Sequence, residues 1–167
     1  MHRLFAPLVL LSLAACGEPE LTSAEQEAAD DRAIAAVEAA QDIPPEPVEP
    51  EAIAFSDIEQ NDLFGAGCSF VAQGEGDRVL ALAMERGAYI KVEGRIRRLA
   101  PDIGSPALPL GARGQYAGKE YAMVLDLAEG EGEQSGTETV DYPSRLELRN
   151  GRDQVVFGAN GVAQCGS

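Results

Sequence analysis

The chain of 167 residues contains 28 acidic and 13 basic residues and has a formal net charge of -15. The acidity is concentrated in residues 16–62, which contain fourteen acidic residues and one basic residue. Residues 63–167 contain fourteen acidic and eleven basic residues. This balance argues against a nucleic-acid-binding protein, because neutralising phosphates requires a basic surface.

The first fifteen residues have the layout of a secretory signal peptide. His2 and Arg3 form a short positive start, residues 4–13 are almost all apolar, and Ala14 and Ala15 follow as small residues. The apolar run is much shorter than the roughly 20 residues that a helix needs to span a bilayer. We therefore predict that residues 1–15 are a signal that is removed on export.

The quartet Leu13-Ala14-Ala15-Cys16 resembles the lipobox of bacterial lipoproteins. The resemblance implies cleavage before Cys16, a diacylglyceryl thioether on its sulfur and, as in most Gram-negative lipoproteins, a third acyl chain on its amino group. In such proteins an Asp directly after the lipidated Cys implies retention at the inner membrane. Because Gly17 stands there, the periplasmic face of the outer membrane is expected, with the inner membrane as the alternative. An ordinary secretory signal with a chance cysteine is the other interpretation.

Residues 16–54 have the composition of an acidic tether. Residues 24–41 are rich in Ala and Glu, and Thr22 stands three residues before Glu25, a capping-box spacing that predicts a marginal helix. Disorder is the alternative, because the segment is acidic and its apolar face is mostly alanine. Four prolines within residues 44–50 predict a semi-rigid polyproline II spacer. We place the start of a folded domain, residues 55–167, directly after this spacer.

The domain reads as all-β, because apolar and polar residues alternate along short segments that are separated by turn signals. A short helical turn is expected first, from a capping-box pattern at residues 56–59 to about residue 62. Two Asn-Gly pairs, at residues 150–151 and 160–161, are the clearest hairpin signals. We predict a small antiparallel barrel or sandwich of about eight strands. The predicted strands are residues 69–73, 78–84, 88–92, 95–99, 115–116, 120–127, 145–149, 154–157 and 162–165.

The cysteine count agrees with export. If Cys16 carries lipid, Cys68 and Cys165 remain as an even pair at the two ends of the predicted domain. In an oxidising compartment such a pair is most simply a disulfide, and two free buried thiols are the alternative.

The mature chain lacks histidine, because the single histidine, His2, lies in the predicted signal. This excludes Ser-His-Asp and Cys-His catalysis and histidine-containing zinc sites. Glu129, Glu131 and Glu133 alternate with glycine and indicate a solvated acidic loop rather than a calcium site or a pair of catalytic carboxylates. We predict no catalytic residue, cofactor or metal.

One basic cluster lies on the predicted hairpin of residues 88–99. Lys91, Arg95, Arg97 and Arg98 form a candidate anion-binding patch, and the solvated face of a strand pair is the alternative.

Two further resemblances concern the domain. Residues 65–70, the pattern Gly94-x-Ile96-x-Arg98-Leu99 and the closing residues 164–166 resemble a group of short alphaproteobacterial lipoproteins without an established activity. A weaker resemblance is to membrane-bound inhibitors of C-type lysozyme, which are lipoproteins with a disulfide-closed barrel. Their inhibitory loop has a Ser-Gly-x-x-Tyr-like motif, and the nearest stretch here, residues 111–116, has no serine at the matching place.

These observations predict a periplasm-facing outer-membrane lipoprotein with a non-enzymatic β domain that serves binding or envelope maintenance. Its expected partners are the membrane, through the lipid, and an envelope protein or a cell-wall component, with no nucleic acid. The alternatives are an inhibitor of a lysozyme-like cell-wall hydrolase and a carboxylate-dependent hydrolase, the latter requiring two acids that converge in a cleft.

Overall fold

The computed structural model describes residues 22–41 and 44–167, so the predicted signal and Cys16 lie outside the described residues. The chain divides into two compact units, residues 1–43 and residues 44–167. In the described part of the first unit, helix α1 covers Ser23–Gln41. The predicted capping box is present, because the Glu25 carboxylate accepts a hydrogen bond of 2.9 Å from the Thr22 amide. No helix of the described residues is long and apolar enough to cross a membrane.

The second unit is a closed antiparallel barrel, which confirms the predicted fold class. A short helix, α2, covers Phe55–Asn61. The strands are β1 (Gly67–Ala72), β2 (Val79–Met84), β3 (Gly87–Val92), β4 (Arg95–Pro101), β5 (Gln115–Ala117), β6 (Tyr121–Leu127), β7 (Glu133–Gln134), β8 (Val140–Asn150) and β9 (Val155–Gly166). Each of β1 to β5 pairs with the next strand, β8 pairs with β9, and β9 pairs with β1. A pairing of β6 with β8 closes the cylinder of eight strands. The remaining strand, β7, adds two residues beside the start of β8.

Large side chains fill the barrel interior. Alternate residues along each strand point inward, and an eight-stranded barrel is just wide enough for them to meet. Phe70, Met123, Leu125, Leu146 and Leu148 are all fully buried in one core cluster. Binding to this domain therefore has to use its outer surface or its ends.

A second apolar layer lies outside the barrel, on β2, β3 and β4. Ile53, Leu63, Leu82, Met84 and Tyr89 form this layer, and Ile58 of α2 packs against it. Strand β2 is consequently buried on both faces, which explains why residues 79–84 are apolar throughout.

The Pro-rich segment closes one end of the barrel. Val48 packs against the barrel core and its amide donates a 2.9 Å hydrogen bond to the Val156 carbonyl. Pro50 is buried, and the Glu51 amide donates a 2.8 Å bond to the Lys91 carbonyl. The compact unit begins at Pro44, and the second half of the predicted spacer contacts the barrel within it.

We expect a glutamate-specific protease to report this boundary. The bond after Glu38 lies in an exposed helix, whereas the bond between Glu51 and Ala52 lies beside buried Pro50 and Ile53. Cleavage after Glu38 should precede cleavage after Glu51, as read by the masses of the fragments. Rapid cleavage after Glu51 would instead support a domain that begins at residue 55. A Val48→Ser variant should speed cleavage after Glu51, because it removes a contact with the barrel core.

The other end of the barrel is closed by the loop between β4 and β5. Ala112 of this loop is fully buried in the core. The Tyr116 hydroxyl, in a residue only 1% exposed, donates to the Met84 carbonyl at 2.9 Å and accepts from the Arg113 amide at 2.7 Å. Burial raises the pKa of Tyr116, so its hydroxyl stays neutral and serves as a structural hydrogen-bonding group.

Two local predictions are wrong. Residues 160–161 do not form a hairpin, because β9 runs without interruption through both. A side chain at Gly161 would come within 2.1 Å of the Val71 carbonyl oxygen, so glycine is needed there for close packing against β1. The predicted capping box at residues 56–59 is also wrong. The capping carboxylate of α2 is that of Asp57, which accepts a 2.8 Å hydrogen bond from the Ala54 amide.

The cysteine pair confirms the predicted disulfide. Cys68 of β1 and Cys165 of β9 stand directly opposite each other in the pairing that joins the first strand to the last. Their sulfurs are bonded and their Cα atoms are 4.0 Å apart. The bond therefore fastens the seam at which the two ends of the domain meet.

Candidate functional site

A large cleft lies on the outer face of β1, β9, β8 and β6. Its volume is about 770 Å³. Glycines of the β1–β2 turn form one wall, the chain after β6 forms the other, and Val71, Val162 and Pro143 supply apolar floor. Cavities of this size hold small ligands or a few residues of a polymer.

A second cleft, of about 540 Å³, opens on the other side of β8. The loop residues Pro106 to Pro109 form one of its walls, and Tyr142 lies at its edge. The two clefts share a set of residues at their meeting point. These shared residues are Asp126, Leu127, Ala128 and Arg145.

Arg145 is the central cation of both clefts. Strand register places Asp126 and Asn160 beside it on the two neighbouring strands. Its Nε donates to Glu147 Oε1 at 3.0 Å, and one terminal nitrogen donates to Asn160 Oδ1 at 3.3 Å. These bonds use two of the five N–H donors of the guanidinium. Since the side chain is 49% exposed, the other donors face the clefts and their solvent.

The acidic partner of Arg145 stays ionised. The hydrogen bond from Arg145 and then that from Arg149 lower the pKa of Glu147, despite the opposing effect of partial burial. The resulting row of alternating charges along β8 fixes the orientation of the Arg145 side chain. A ligand would therefore meet a positioned guanidinium rather than a freely rotating one.

The predicted basic patch is divided between two faces of the hairpin β3–β4. Lys91 stands opposite Ile96 and Arg98 opposite Tyr89, on the outer face, whereas Arg95 and Arg97 pair with the inward-facing Val92 and Ile90. The four residues of the candidate patch therefore do not form one continuous surface.

Two residues of the candidate patch already have acidic partners. Lys91 Nζ contacts both carboxylate oxygens of Asp57 at 2.9 Å, and this bond lowers the pKa of Asp57. Arg97 pairs with Glu120 at 2.9 Å and with Glu93 at 3.6 Å. The Lys91–Asp57 pair connects α2 to β3. Through its two acidic partners, Arg97 connects the β3–β4 turn to the β5–β6 turn. Both therefore stabilise the fold rather than present charge to a partner.

The stretch that resembles the inhibitory loop of lysozyme inhibitors is largely internal. Its tyrosine, Tyr116, is buried and bonded at both ends of its hydroxyl, and Ala112 is part of the core. In this conformation the tyrosine cannot enter the cleft of another enzyme.

The acidic loop of residues 129–133 lies partly beside the second cleft. Glu129 contributes to its wall, and Glu133 is the first residue of β7. In the described part of the chain, no group of three or more His, Cys, Asp or Glu residues is placed to hold a metal ion.

The candidate site residues predicted from the sequence do not include the residues that line the two clefts. Arg145 and Asn160 lie fifteen positions apart, and each has ordinary strand or turn neighbours. In the sequence, Arg145, Glu147 and Arg149 alternate with two leucines, a pattern that indicates an outward strand face but not a cleft. Comparison with protein-family models, curated proteins and solved structures yields no match to this chain.

Proposed function

We propose that this chain is a lipid-anchored protein of the bacterial envelope whose barrel binds a partner in the clefts centred on Arg145. The lipobox-like residues 13–16 support anchoring through Cys16, and Gly17 supports the outer membrane, with the barrel in the periplasm. The observation that carries the binding role is the convergence of two outer clefts on one oriented guanidinium.

The partner proposed is a cell-wall peptide that carries both free carboxylates and amino groups, because the larger cleft is lined by Asp126 and Asp141 as well as by Arg145. A guanidinium with unused donors binds carboxylate oxygens by charge-assisted hydrogen bonds. The side chains of Asn160, Gln73 and Gln164 add amide donors and acceptors along the same cleft, which suits the amide groups of a peptide. A lipid-tethered domain would hold this surface close to the wall.

A binding role is favoured over acid catalysis at Glu147, the acid that Arg145 contacts. A general acid needs a raised pKa, because it must keep its proton near neutral pH. The pKa of Glu147 is instead lowered by the hydrogen bonds from Arg145 and Arg149. The buried position of Tyr116 likewise favours wall binding over inhibition of a lysozyme-like hydrolase.

The test is a titration of the ¹⁵N-labelled mature protein, in detergent micelles, with muropeptides released from cell walls by a muramidase. Amide shifts should cluster at Val71, Asn160 and Val162, which line the larger cleft. Arg145→Gln should weaken binding about tenfold or more, because a charge-assisted hydrogen bond contributes about 1.5–3 kcal/mol.

Arg152→Gln is the matched control. Arg152 is an exposed arginine in the β8–β9 turn, and its loss removes the same charge away from the clefts. It should leave muropeptide binding unchanged. Shifts spread evenly over the surface, or equal losses in the two variants, would refute the proposed site.

A further inference from the structure

A separate small cleft lies on the opposite side of the barrel, between the end of α2 and the hairpins of β2, β3 and β4. Its volume is about 360 Å³. Two arginines, Arg86 from the β2–β3 turn and Arg98 from β4, line it together with Tyr89 and Asp62. Only Arg98 belongs to the candidate patch taken from the sequence.

The backbone holds the two guanidinium groups in place. One terminal nitrogen of Arg86 donates to the Asp62 carbonyl at 2.7 Å and to the Phe64 carbonyl at 2.9 Å, which satisfies carbonyls at the end of α2. One terminal nitrogen of Arg98 donates to the Arg86 carbonyl at 3.3 Å. The positions of both cations are thus set without a carboxylate.

Most of their donors remain available. Each guanidinium has five N–H donors, and the three bonds above use two of those on Arg86 and one on Arg98. The Tyr89 hydroxyl lies near the Arg98 guanidinium. A side chain added at Gly87 would come within 3.5 Å of Arg98 Nε and within 3.8 Å of this hydroxyl. The cleft therefore gathers guanidinium and hydroxyl donors from three elements.

Neither arginine is neutralised by a carboxylate, although the domain is acidic. Residues 44–167 contain twenty acidic and eleven basic residues. Nevertheless neither Arg86 nor Arg98 forms an ion pair with a carboxylate of the described residues, whereas Arg78, Lys91 and Arg97 each do. Asp62 lines the cleft without pairing with either arginine, so the lining carries a net charge of one positive unit.

We propose that the cleft formed by Arg86, Arg98 and Tyr89 binds a phosphate group. A phosphate group suits this set of donors, because it has more acceptor oxygens than a carboxylate, arranged tetrahedrally, and can accept bonds from two guanidinium groups and a hydroxyl at once. The volume fits one phosphate with a small substituent. The phosphate is that of a lipid headgroup or of a free phosphate compound. This site is independent of the Arg145 clefts.

The test follows the Nε–Hε resonances of Arg86 and Arg98 in the ¹⁵N-labelled mature protein, in detergent micelles, during titration with inorganic phosphate. Both resonances should shift and saturate together. Arg98→Gln should weaken binding about tenfold, since it removes the less anchored of the two cations. Arg98→Lys, which keeps the charge but loses the fork, should fall between the wild type and Arg98→Gln.

Arg95→Gln is the matched control, because Arg95 is equally exposed on the same strand but belongs to the other face. It should leave phosphate binding unchanged. A second titration with glycerophosphoglycerol identifies the source: tighter binding than inorganic phosphate indicates a lipid headgroup, and weaker binding a free phosphate compound. Absence of saturation with both probes, or equal losses in Arg95→Gln and Arg98→Gln, would overturn the proposal.

Discussion

Replacing both Cys68 and Cys165 by alanine should lower the free energy of unfolding by about 2–4 kcal/mol and Tm by about 10 °C. The disulfide spans 97 positions of the sequence. In the chain-entropy model a loop of this length restricts the unfolded chain by about 4.7 kcal/mol, before strain is subtracted. A domain of this size has a net stability of about 5–15 kcal/mol, so the bond is a large share of it.

The variant should nevertheless fold. Residues 67–72 of β1 and 161–166 of β9 are paired along their whole length, and these backbone hydrogen bonds do not depend on the sulfurs. The far-UV circular dichroism spectrum should therefore stay native-like while the melting transition moves down.

Reduced wild-type protein is the control for packing. Both cysteines are buried, so their replacement by alanine also removes core volume, whereas reduction keeps the sulfur atoms. The reduced protein should melt between the oxidised protein and the double variant. Two reactive thiols in the denatured, unreduced mature protein would show that the bond is absent in solution.

Cys16→Ala should abolish both lipid labelling and processing by the lipoprotein peptidase. Each buried methylene of an acyl chain contributes about 0.8 kcal/mol, and stable anchoring needs more than one chain, which triacylation supplies. Metabolic labelling with palmitate should mark the wild type and not the variant, and the variant should keep its signal peptide uncleaved by the lipoprotein peptidase.

The Cys68→Ala, Cys165→Ala double variant serves here as the matched control. It removes two cysteines but keeps Cys16, and it should label fully. The labelled wild type should sediment with outer-membrane markers, and Gly17→Asp should shift it to the inner membrane. Unchanged labelling of Cys16→Ala would contradict the lipid site, and sedimentation of the wild type with inner-membrane markers would contradict the proposed location.

The strands could be predicted because their signal is local. Alternation along Met123 and Leu125, or along Leu146 and Leu148, places every second side chain in the core whatever the strand pairs with. The same reasoning failed at residues 160–161, where Asn-Gly has a strong tendency to turn. Pairing with β1 overrides that tendency, because a continuous β9 gains backbone hydrogen bonds along its whole length.

The candidate sites could not be predicted in the same way, because their residues come from distant parts of the chain. Arg145 becomes central only when β6, β8 and β9 lie side by side. Arg86 is held in place only when the end of α2 lies beside the β2–β3 turn, and the pairing of β3 with β4 brings Arg98 to it. The basic cluster of residues 91–98 was compact in sequence, yet strand alternation sends its members to opposite faces.

By itself, the sequence determined the all-β class and most strand positions. It also favoured a bond between Cys68 and Cys165 over two free thiols, and its first sixteen residues predict export and a lipid on Cys16. These conclusions rest on periodicity, short motifs and residue counts, which are properties of neighbouring positions. Only the tertiary structure decided that Val48 and Pro50 close the barrel and that the clefts form around Arg145 and between Arg86 and Arg98. The physical reason is that burial and charge pairing depend on which surfaces barrel closure brings together.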